Sequence, residues 1–272
     1  MIYFSPAKIN LGLQILERRE DGFHNLRSVM FPIGLCDILE INQQTGDAEP
    51  LRFSRTGFPF EDDAERNLCI RAWKLMASEC DLPSVAIHLH KQIPVGAGLG
   101  GGSSNASAVL KALNSLSGAP VHATRMVELA ARLGSDCPFF LHDSPMLMEG
   151  RGELLSPVRL SLKGHYLVVL FPGIHISTAE AYAEVAPAIP SVHLKASIEL
   201  PVSQWKNSVV NDFEKSAFAL HPLLPELKEA LYRAGALYAS MSGSGSSLYG
   251  IFGTPPELPV QLRNFSVWQG PA

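Results

Sequence analysis

Apolar and polar residues alternate in two stretches of the N-terminal half, a pattern typical of half-buried β-strands. Residues 8–15 form the first stretch, in which Lys8 and Asn10 share the polar face of the predicted strand. Residues 85–90 form the second stretch. The mostly apolar residues 29–41 predict one or two further strands.

Apolar residues at intervals of three and four predict helices along the rest of the chain. We expect Gly118, Gly134 and Gly235 to cap three of them. Residues 183–200 contain several prolines and are expected to form a loop. Helices are predicted at residues 64–79, 106–116, 124–133 and 224–234, with two more opening near Thr178 and Asn211, and strands at residues 166–171, 236–239 and 248–252.

A glycine-rich stretch, Pro94–Asn105, separates the strand at residues 85–90 from the helix that follows it; we call it the first glycine segment. Five of its twelve residues are glycine, which lets the backbone turn tightly and approach a ligand closely. The free N–H groups at a helix N-terminus attract phosphate. A flexible connector is the alternative, but the amphipathic elements directly at both ends favour phosphate binding.

A second glycine segment, Met241–Ser247, lies between two strand-like runs in the C-terminal half. A segment of this composition forms a hairpin turn in many proteins. A second small-residue loop is also what a protein would require to hold one polyphosphate from two sides. Both interpretations remain open from the sequence.

Several polar residues have a structural and a functional interpretation. Lys8 is either a solvated strand residue or a functional one, and Asn67 is either a helix cap or a ligand contact. Asp136 is either a capping residue or a carboxylate that acts as a general base or holds a substrate hydroxyl. Phe23 and His24 follow a charged turn and either anchor the chain or stack on and hydrogen-bond a base.

The composition limits the class of protein. Among 272 residues, 46% are hydrophobic and 18% are charged, which predicts a globular chain of one large or two modest domains. The net charge of −4, from 22 basic and 26 acidic residues, offers no electrostatic argument for nucleic acid or an anionic membrane. We expect no signal peptide or transmembrane span. The four scattered cysteines form no C-x-x-C pair and predict reduced thiols in a cytoplasmic protein.

Three familiar nucleotide-binding patterns are each incomplete in this chain. A Walker A loop requires Lys and then Ser or Thr after its closing glycine, whereas Gly101 is followed by Gly102 and Ser103. Gly96, Gly98 and Gly101 fit G-x-G-x-x-G, but the acidic residue expected about twenty positions later is missing. The H-R-D and D-F-G motifs of protein kinases are also missing.

The arrangement of Pro94, Gly98-Leu99-Gly100 and a following Ser-Ser pair resembles the phosphate loop of the GHMP kinases, which include galactokinase, homoserine kinase and mevalonate kinase. Two companion motifs are present: Pro6–Leu11 and Gly243-Ser244-Gly245. Within that superfamily, the chain is similar to the family of 4-diphosphocytidyl-2-C-methyl-D-erythritol kinases, which act in non-mevalonate isoprenoid biosynthesis. The strings that carry this narrower resemblance cover residues 5–13, 19–26, 98–106 and 133–140.

The resemblance implies an α+β structure, the two-domain GHMP kinase fold, with the active site in the cleft between the domains. We expect an N-terminal domain at residues 1–155 and a C-terminal domain at residues 156–272. The resemblance further implies ATP and Mg²⁺ as cofactors and a cytidine diphosphate-linked methylerythritol as the small-molecule substrate. Neither nucleic acid nor membrane is an expected partner, and the chain is expected to be a monomer or a weak homodimer.

The resemblance also assigns residues to the reaction. Lys8 and Asp136 match the catalytic pair: Asp136 would accept the proton of the 2-hydroxyl, and Lys8 would keep that carboxylate ionised. Asn10 matches a polar residue on the substrate side. Phe23 and His24 match the pair that recognises cytidine, although many members have tyrosine where this chain has Phe23. Tyr182 is the candidate for the opposite face of the base.

For ATP, the resemblance implies contacts from both glycine segments, and Ser103 or Ser104 would approach Mg²⁺. Two alternatives remain: another GHMP kinase acting on an alcohol of the mevalonate or homoserine type, and a diverged nucleotide-binding relative without kinase activity. The expected ATP-binding residues are Asn67, Pro94, Val95, Gly96, Ala97, Gly98, Leu99, Gly100, Gly101, Gly102, Ser103, Ser104, Gly243, Ser244 and Gly245.

Overall fold

The computed structural model describes residues 1–45, 49–59, 65–183, 185–190 and 192–272. The chain forms two compact units, each built from several separate segments. Unit 1 comprises Met1–Ala7, Leu35–Val95 and Gly100–Asp143, and unit 2 comprises Lys8–Gly34, Gly96–Leu99 and Ser144–Ala272. Each unit is described by itself below.

Unit 1 packs helices on a sheet. Strand β4 lies between β3, which is parallel to it, and the C-terminal part of β2, which is antiparallel to it. Its elements, with the long strands β1 and β2 that both units share, are β1 (Ile2–Arg18), β2 (His24–Gln43), β3 (Leu51–Gly57), α1 (Leu68–Glu79), β4 (Val85–Lys91), α2 (Gly101–Leu116), α3 (Ala123–Leu133) and a 3₁₀ turn (Pro138–Leu141).

The core of unit 1 follows from the apolar periodicity of its elements. Val85, Ile87 and Leu89 on β4 are buried, whereas the alternate residues of that strand are half-buried. Helix α2 is buried on a broad face that includes Val109 and Leu113. These side chains and those of α1 and α3 form one apolar cluster, whose burial is the main stabilising contribution to the unit.

Unit 2 contains an antiparallel sheet with the strand order β10–β7–β9–β8. In addition, β5 pairs with the N-terminal part of β2 on one side and with β6 on the other. Its elements are β5 (Met146–Gly150), β6 (Leu154–Pro157), β7 (Tyr166–Leu170), α4 (Thr178–Tyr182), α5 (Leu194–Ile198), a 3₁₀ helix (Val202–Asn207), α6 (Phe213–Leu220), α7 (Leu223–Arg233), β8 (Tyr238–Met241), β9 (Leu248–Phe252), α8 (Val260–Arg263) and β10 (Ser266–Pro271).

The helices and mostly antiparallel strands confirm the predicted α+β class, and most predicted elements are present. Gly134 caps α3 as expected, and Gly235 follows α7 with a positive φ of 97°. The cap predicted at Gly118 is wrong: α2 ends at Leu116, and its C-cap residue is Ser117, where the backbone is extended. The helix predicted at residues 64–79 begins at Leu68, and its first predicted residue, Ala64, lies outside the described residues.

Two further predictions need correction. The expected loop at residues 183–200 contains α5, a single five-residue helix capped by His193. A helix this short shows no visible periodicity, and prolines surround it in the sequence. The strand predicted at residues 236–239 is displaced by two residues, to Tyr238–Met241.

The boundary predicted between residues 155 and 156 stays a prediction, because the two units are not a division of the chain at one point. Among the helices of the described chain, none is both long enough and apolar enough to cross a membrane.

Candidate active site

The two glycine segments contact each other within unit 2 through one side-chain and one backbone hydrogen bond. The Ser242 hydroxyl donates a hydrogen bond to Gly98 O (3.0 Å), and Ser247 N donates to Ala97 O (3.1 Å). Gly98 has a φ of 76°, and a Cβ atom there would lie 2.1 Å from Ser242 O. Only glycine fits this position. The second segment is therefore more than a local hairpin turn.

Lys8 and Asn10 lie beside this contact and are almost fully buried, with 4% and 2% of their surfaces exposed. The Lys8 ammonium donates to Asn10 Oδ1 (2.5 Å) and to Gly98 O (2.9 Å). A Cβ atom on Gly243 would lie 3.4 Å from both Lys8 Nζ and Asn10 Oδ1. The solvated interpretation of Lys8 is therefore wrong, because a buried ammonium needs such partners.

In unit 1, helix α2 begins within the first glycine segment, at Gly101. Its N-cap, Gly100, has a φ of 71° and makes no side-chain cap hydrogen bond. The first N–H groups of a helix have no partner within the helix, so this end can donate to an anion. Ser104, in the first turn, is 2% exposed, and its hydroxyl has no hydrogen-bond partner among the residues described.

A buried ion pair between Asp37 and Lys91 supports this helix end. The carboxylate of Asp37 also accepts hydrogen bonds from the backbone N–H groups of Gln92 (2.7 Å) and Ile93 (2.8 Å), directly before the first glycine segment. Asn105 Nδ2, on α2, donates to the same carboxylate (2.9 Å). Burial lowers the pKa of the Lys91 ammonium, and the neighbouring carboxylate opposes that shift.

The turn that carries Asp136 is bonded to α2 within the same unit. Ser107 Oγ, on α2, lies 2.7 Å from Cys137 O and 2.9 Å from Ser103 O. Asp136 itself is half-buried and lies between α3 and the 3₁₀ turn. The backbone next to Asp136 is therefore held against helix α2.

Asn67 caps helix α1 with its side-chain oxygen and leaves its amide nitrogen for another partner. Its Oδ1 accepts hydrogen bonds from Cys69 N (3.0 Å) and Ile70 N (3.4 Å), so it caps α1. Its Nδ2 is buried and has no partner among the described residues. A buried amide donor without a partner is costly, so this group can serve a ligand while the oxygen caps the helix.

The predicted base-recognition residues lie in unit 2, and each makes a contact with another ring or with a cation. The rings of His24 and Tyr182 are stacked, with centroids 4.8 Å apart and planes inclined by 24°. Tyr182 also makes an edge contact with Phe213, and burial raises the pKa of its phenol. Phe23 is 56% exposed, and the Arg151 guanidinium lies 5.1 Å from its ring centroid.

Within unit 2, the structure therefore brings together Lys8, Asn10, Gly96–Leu99 and Gly243–Gly245, and separately pairs His24 with Tyr182. Unit 1 contains Asn67, Pro94, Val95, Gly100–Ser104 and Asp136.

Sequence reasoning did not single out Asp37 or Lys91. A signal was present, because Asp37 is the one charged residue between Leu35 and Leu39, in an otherwise apolar run. A carboxylate in such a run requires a partner when buried. Nothing local identifies that partner, which lies 54 positions away. In the described part of the chain, no three His, Cys, Asp or Glu residues are grouped closely enough to hold a metal ion by themselves.

Comparison with known sequences identifies two matching domain models. "GHMP kinases N terminal domain" matches residues 67–144, and "GHMP kinases C terminal" matches residues 200–265. The chain is 43% identical to a 4-diphosphocytidyl-2-C-methyl-D-erythritol kinase of Parabacteroides distasonis over 272 residues, which cover 99% of both chains. It is 45% identical to the enzyme of the same name from Bacteroides fragilis over 265 residues, covering 97% of this chain and 96% of the relative.

Comparison with solved structures identifies the same kind of enzyme. A crystal structure of 4-(cytidine 5'-diphospho)-2C-methyl-D-erythritol kinase superposes with a TM-score of 0.84 at 35% identity, covering 99% of this chain and 98% of the other. Homoserine kinase from Cytophaga hutchinsonii, at 19% identity and a TM-score of 0.69, shares the fold over 93% of this chain and 85% of the other. The two-domain architecture, the two glycine segments and this similarity over the whole length establish that the chain belongs to the GHMP kinase family.

Proposed function

We propose that this protein is an ATP-dependent kinase that phosphorylates the 2-hydroxyl of 4-diphosphocytidyl-2-C-methyl-D-erythritol, a step of non-mevalonate isoprenoid biosynthesis. The observation that carries the proposal is the identity of 43–45% to kinases of that name over 97–99% of this chain. The contact between the two glycine segments beside buried Lys8 supports it, because phosphoryl transfer depends mainly on positioning and on stabilisation of charge.

In the proposed reaction, Asp136 accepts the proton of the 2-hydroxyl, whose oxygen attacks the γ-phosphorus of ATP while ADP leaves. Lys8 stabilises the charge that develops on the transferred group. Asn10 belongs to the substrate side of the site and orients Lys8: its Oδ1 accepts a 2.5 Å hydrogen bond from the Lys8 ammonium, while its Nδ2 donates to Ser28 Oγ (2.8 Å). The burial of Lys8 supports this assignment, because charge interactions are stronger where water is excluded.

For ATP, we propose that the backbone of the first glycine segment and the N-terminus of α2 contact the phosphates. Gly243, Ser244 and Gly245 contribute a second backbone surface. The partnerless Nδ2 of Asn67 is suited to donate a hydrogen bond to the nucleotide. The lack of a side-chain cap at Gly100 supports this role, because it leaves the first helical N–H groups to a ligand.

The residues present fit Mg²⁺ as a cofactor. Magnesium takes oxygen ligands and is held through one or two protein groups together with substrate phosphates and water. The buried, partnerless hydroxyl of Ser104 favours this residue over Ser103 as the protein ligand. When bound, Mg²⁺ would neutralise charge on the ATP phosphates.

For the cytidine end of the substrate, we propose that His24 hydrogen-bonds the base and that Phe23 and Tyr182 supply stacking surfaces. A base that stacked on Tyr182 from the side of His24 would require those two rings to separate. A ring inserted between them needs about 3.5 Å to each neighbour, whereas their centroids are 4.8 Å apart.

The location and the oligomeric state belong to the same proposal. The four cysteines are free thiols in the structure, which supports a cytoplasmic location. A monomer or weak homodimer stays a prediction, which sedimentation measurements would test.

The activity is tested with purified protein and Mg-ATP against four alcohols: the cytidine diphosphate substrate, mevalonate, homoserine and galactose. We expect phosphorylation of the cytidine compound alone, detected as ADP release and as a phosphorylated product by mass spectrometry. Lys8→Met, purified in parallel, controls for contaminating kinases and should be inactive. Turnover of another alcohol without the cytidine compound would assign a different GHMP kinase, and ATP binding without any turnover would indicate a diverged relative.

A further inference from the structure

A short segment of unit 2, Asn211–Glu214, contains the start of helix α6 and has no role in the proposed reaction. Asn211 is fully buried. Its Nδ2 donates hydrogen bonds to Met241 O and Gly243 O, each 2.8 Å long, and its Oδ1 accepts one from Phe213 N (3.0 Å). Both amide hydrogens thus hold carbonyl groups at the start of the second glycine segment.

Glu214 bonds the end of strand β8, from which the second glycine segment continues. Its Oε1 accepts hydrogen bonds from Met241 N (2.8 Å) and Ser240 Oγ (3.0 Å), and its Oε2 accepts one from Lys228 (2.6 Å). Because Met241 is bonded through N by Glu214 and through O by Asn211, the peptide groups on both sides of it are fixed. The second glycine segment therefore leaves β8 in one defined direction.

The same segment is also bonded to β1, the strand that carries Lys8 and Asn10. Leu13 N donates to Val210 O (2.9 Å), and Asp212 N donates to Leu13 O (2.8 Å). The Asp212 carboxylate accepts a hydrogen bond from Ile15 N (2.8 Å). Residues 210–214 thus connect the strand of the proposed catalytic lysine to the second glycine segment.

The space between these parts allows little displacement. Ser242 Oγ accepts a hydrogen bond from Asn10 N (3.3 Å) and lies 3.0 Å from Gly98 O. Gly243 packs against Lys8 and Asn10 closely enough that even a Cβ atom would touch both. A shift of the Gly243 backbone would therefore change the surroundings of the Lys8 ammonium.

We propose that Asn211 and Glu214 are positioning residues for the phosphoryl transfer: they hold the second glycine segment against Lys8 and Asn10. This inference rests on the function proposed above. It predicts that the two residues affect kcat while contacting neither ATP nor the cytidine substrate.

Asn211→Asp and Asn211→Ala test the first residue. Asn211→Asp keeps the size of the side chain but turns an oxygen toward the carbonyl groups of Met241 and Gly243. We expect kcat to fall about 100-fold, the effect of a displacement of about 1 Å near reacting groups, and the KM for the cytidine substrate to change less than about threefold. Tyr232→Phe is the matched control, because it removes one hydrogen bond to the same strand (Tyr232 OH to Ala239 O, 3.2 Å) away from the glycine segment.

Glu214→Ala and Glu214→Gln test the second residue. Glutamine retains an oxygen that can accept from Met241 N, so it should restore most of the kcat that alanine loses. A merely structural role would not produce this rescue together with an unchanged KM.

Hydrogen–deuterium exchange supplies a readout that does not require activity. In Asn211→Asp and Asn211→Ala, amides of residues 241–247 should exchange at least tenfold faster, while those of β7 and β9 remain as in the wild type. If the wild-type protein phosphorylates none of the alcohols, the proposed function fails, but the exchange result still decides whether these residues hold the segment. Exchange at 241–247 no faster than in Tyr232→Phe, a kcat within about twofold of that control, or equally fast exchange throughout β7 and β9 would overturn the inference.

Discussion

Replacing Lys91 by methionine should lower the free energy of unfolding by about 3–5 kcal/mol, because it removes one partner of a buried ion pair. Methionine has nearly the length of lysine, so it leaves no large cavity. The Asp37 carboxylate stays fully buried and loses its only cationic partner among the residues described. It retains three hydrogen bonds, from Gln92 N, Ile93 N and Asn105 Nδ2, which places the expected loss near 3 kcal/mol.

Replacing the other partner, Asp37→Asn, should lower the free energy of unfolding by a similar amount. The Lys91 ammonium, which is 4% exposed, would then be buried without its counter-charge. The double variant Asp37→Asn/Lys91→Met should lose less than either single variant. It buries no charge, and Asn105 Oδ1, which has no hydrogen-bond partner among the described residues, can accept one from the new amide. The difference between the double variant and the sum of the single variants measures the coupling of the pair.

Urea unfolding followed by tryptophan fluorescence measures these free energies. The matched control is Lys111→Met, which breaks an exposed ion pair in the same unit (Lys111 to Asp143, 3.3 Å, side chains 37% and 95% exposed). It should cost less than about 1 kcal/mol. A loss below about 1 kcal/mol for Lys91→Met, or a double variant that loses as much as the sum of the two, would refute the reasoning.

Three other predictions follow from the site and the core. Asp136→Asn should lower kcat about 10²–10⁴-fold, the usual contribution of a general base, with ATP affinity by calorimetry nearly unchanged; normal turnover would remove its role as base. His24→Ala should raise the KM for the cytidine substrate about tenfold through a lost hydrogen bond, with little change in kcat, and an unchanged KM would exclude His24 from the site. Cys69 and Cys137 should resist iodoacetamide at pH 8 until the protein unfolds, because burial raises their pKa values to about 12 and about 11 and leaves almost no thiolate; mass spectrometry showing rapid alkylation of either in the native protein would contradict this.

Local patterns predicted most of the fold. The alternation at residues 85–90 and the helical spacing at residues 106–116 are direct consequences of one face packing on the core, so β4 and α2 were recognisable without any knowledge of their neighbours. The five-residue helix α5 was missed because a single turn shows no period. The cap of α2 was misplaced because Ser117 ends the helix with extended backbone, which needs no glycine.

The parts of the candidate site that consist of short sequence motifs were predictable. The first glycine segment, the adjacent helix and the placement of Lys8 and Asn10 on one strand face all follow from neighbouring residues. The second glycine segment had two interpretations, since its composition suits a hairpin as well as a phosphate-contacting loop. Its contact with Gly98, 144 positions away at Ser242, excludes the purely local interpretation.

By itself, the sequence determined that the backbone of the first glycine segment can approach a phosphate closely. It also determined which strand and helix flank that segment and which kinase family the motifs resemble. These properties depend on residues within a few positions of one another. Only the tertiary structure decided that Lys8 is buried against Gly98, that Asp37 pairs with Lys91, and that Asn211 holds Met241 and Gly243. Such pairs join groups far apart in the chain, and a buried polar group selects its partner by position in the folded core, which no local pattern encodes.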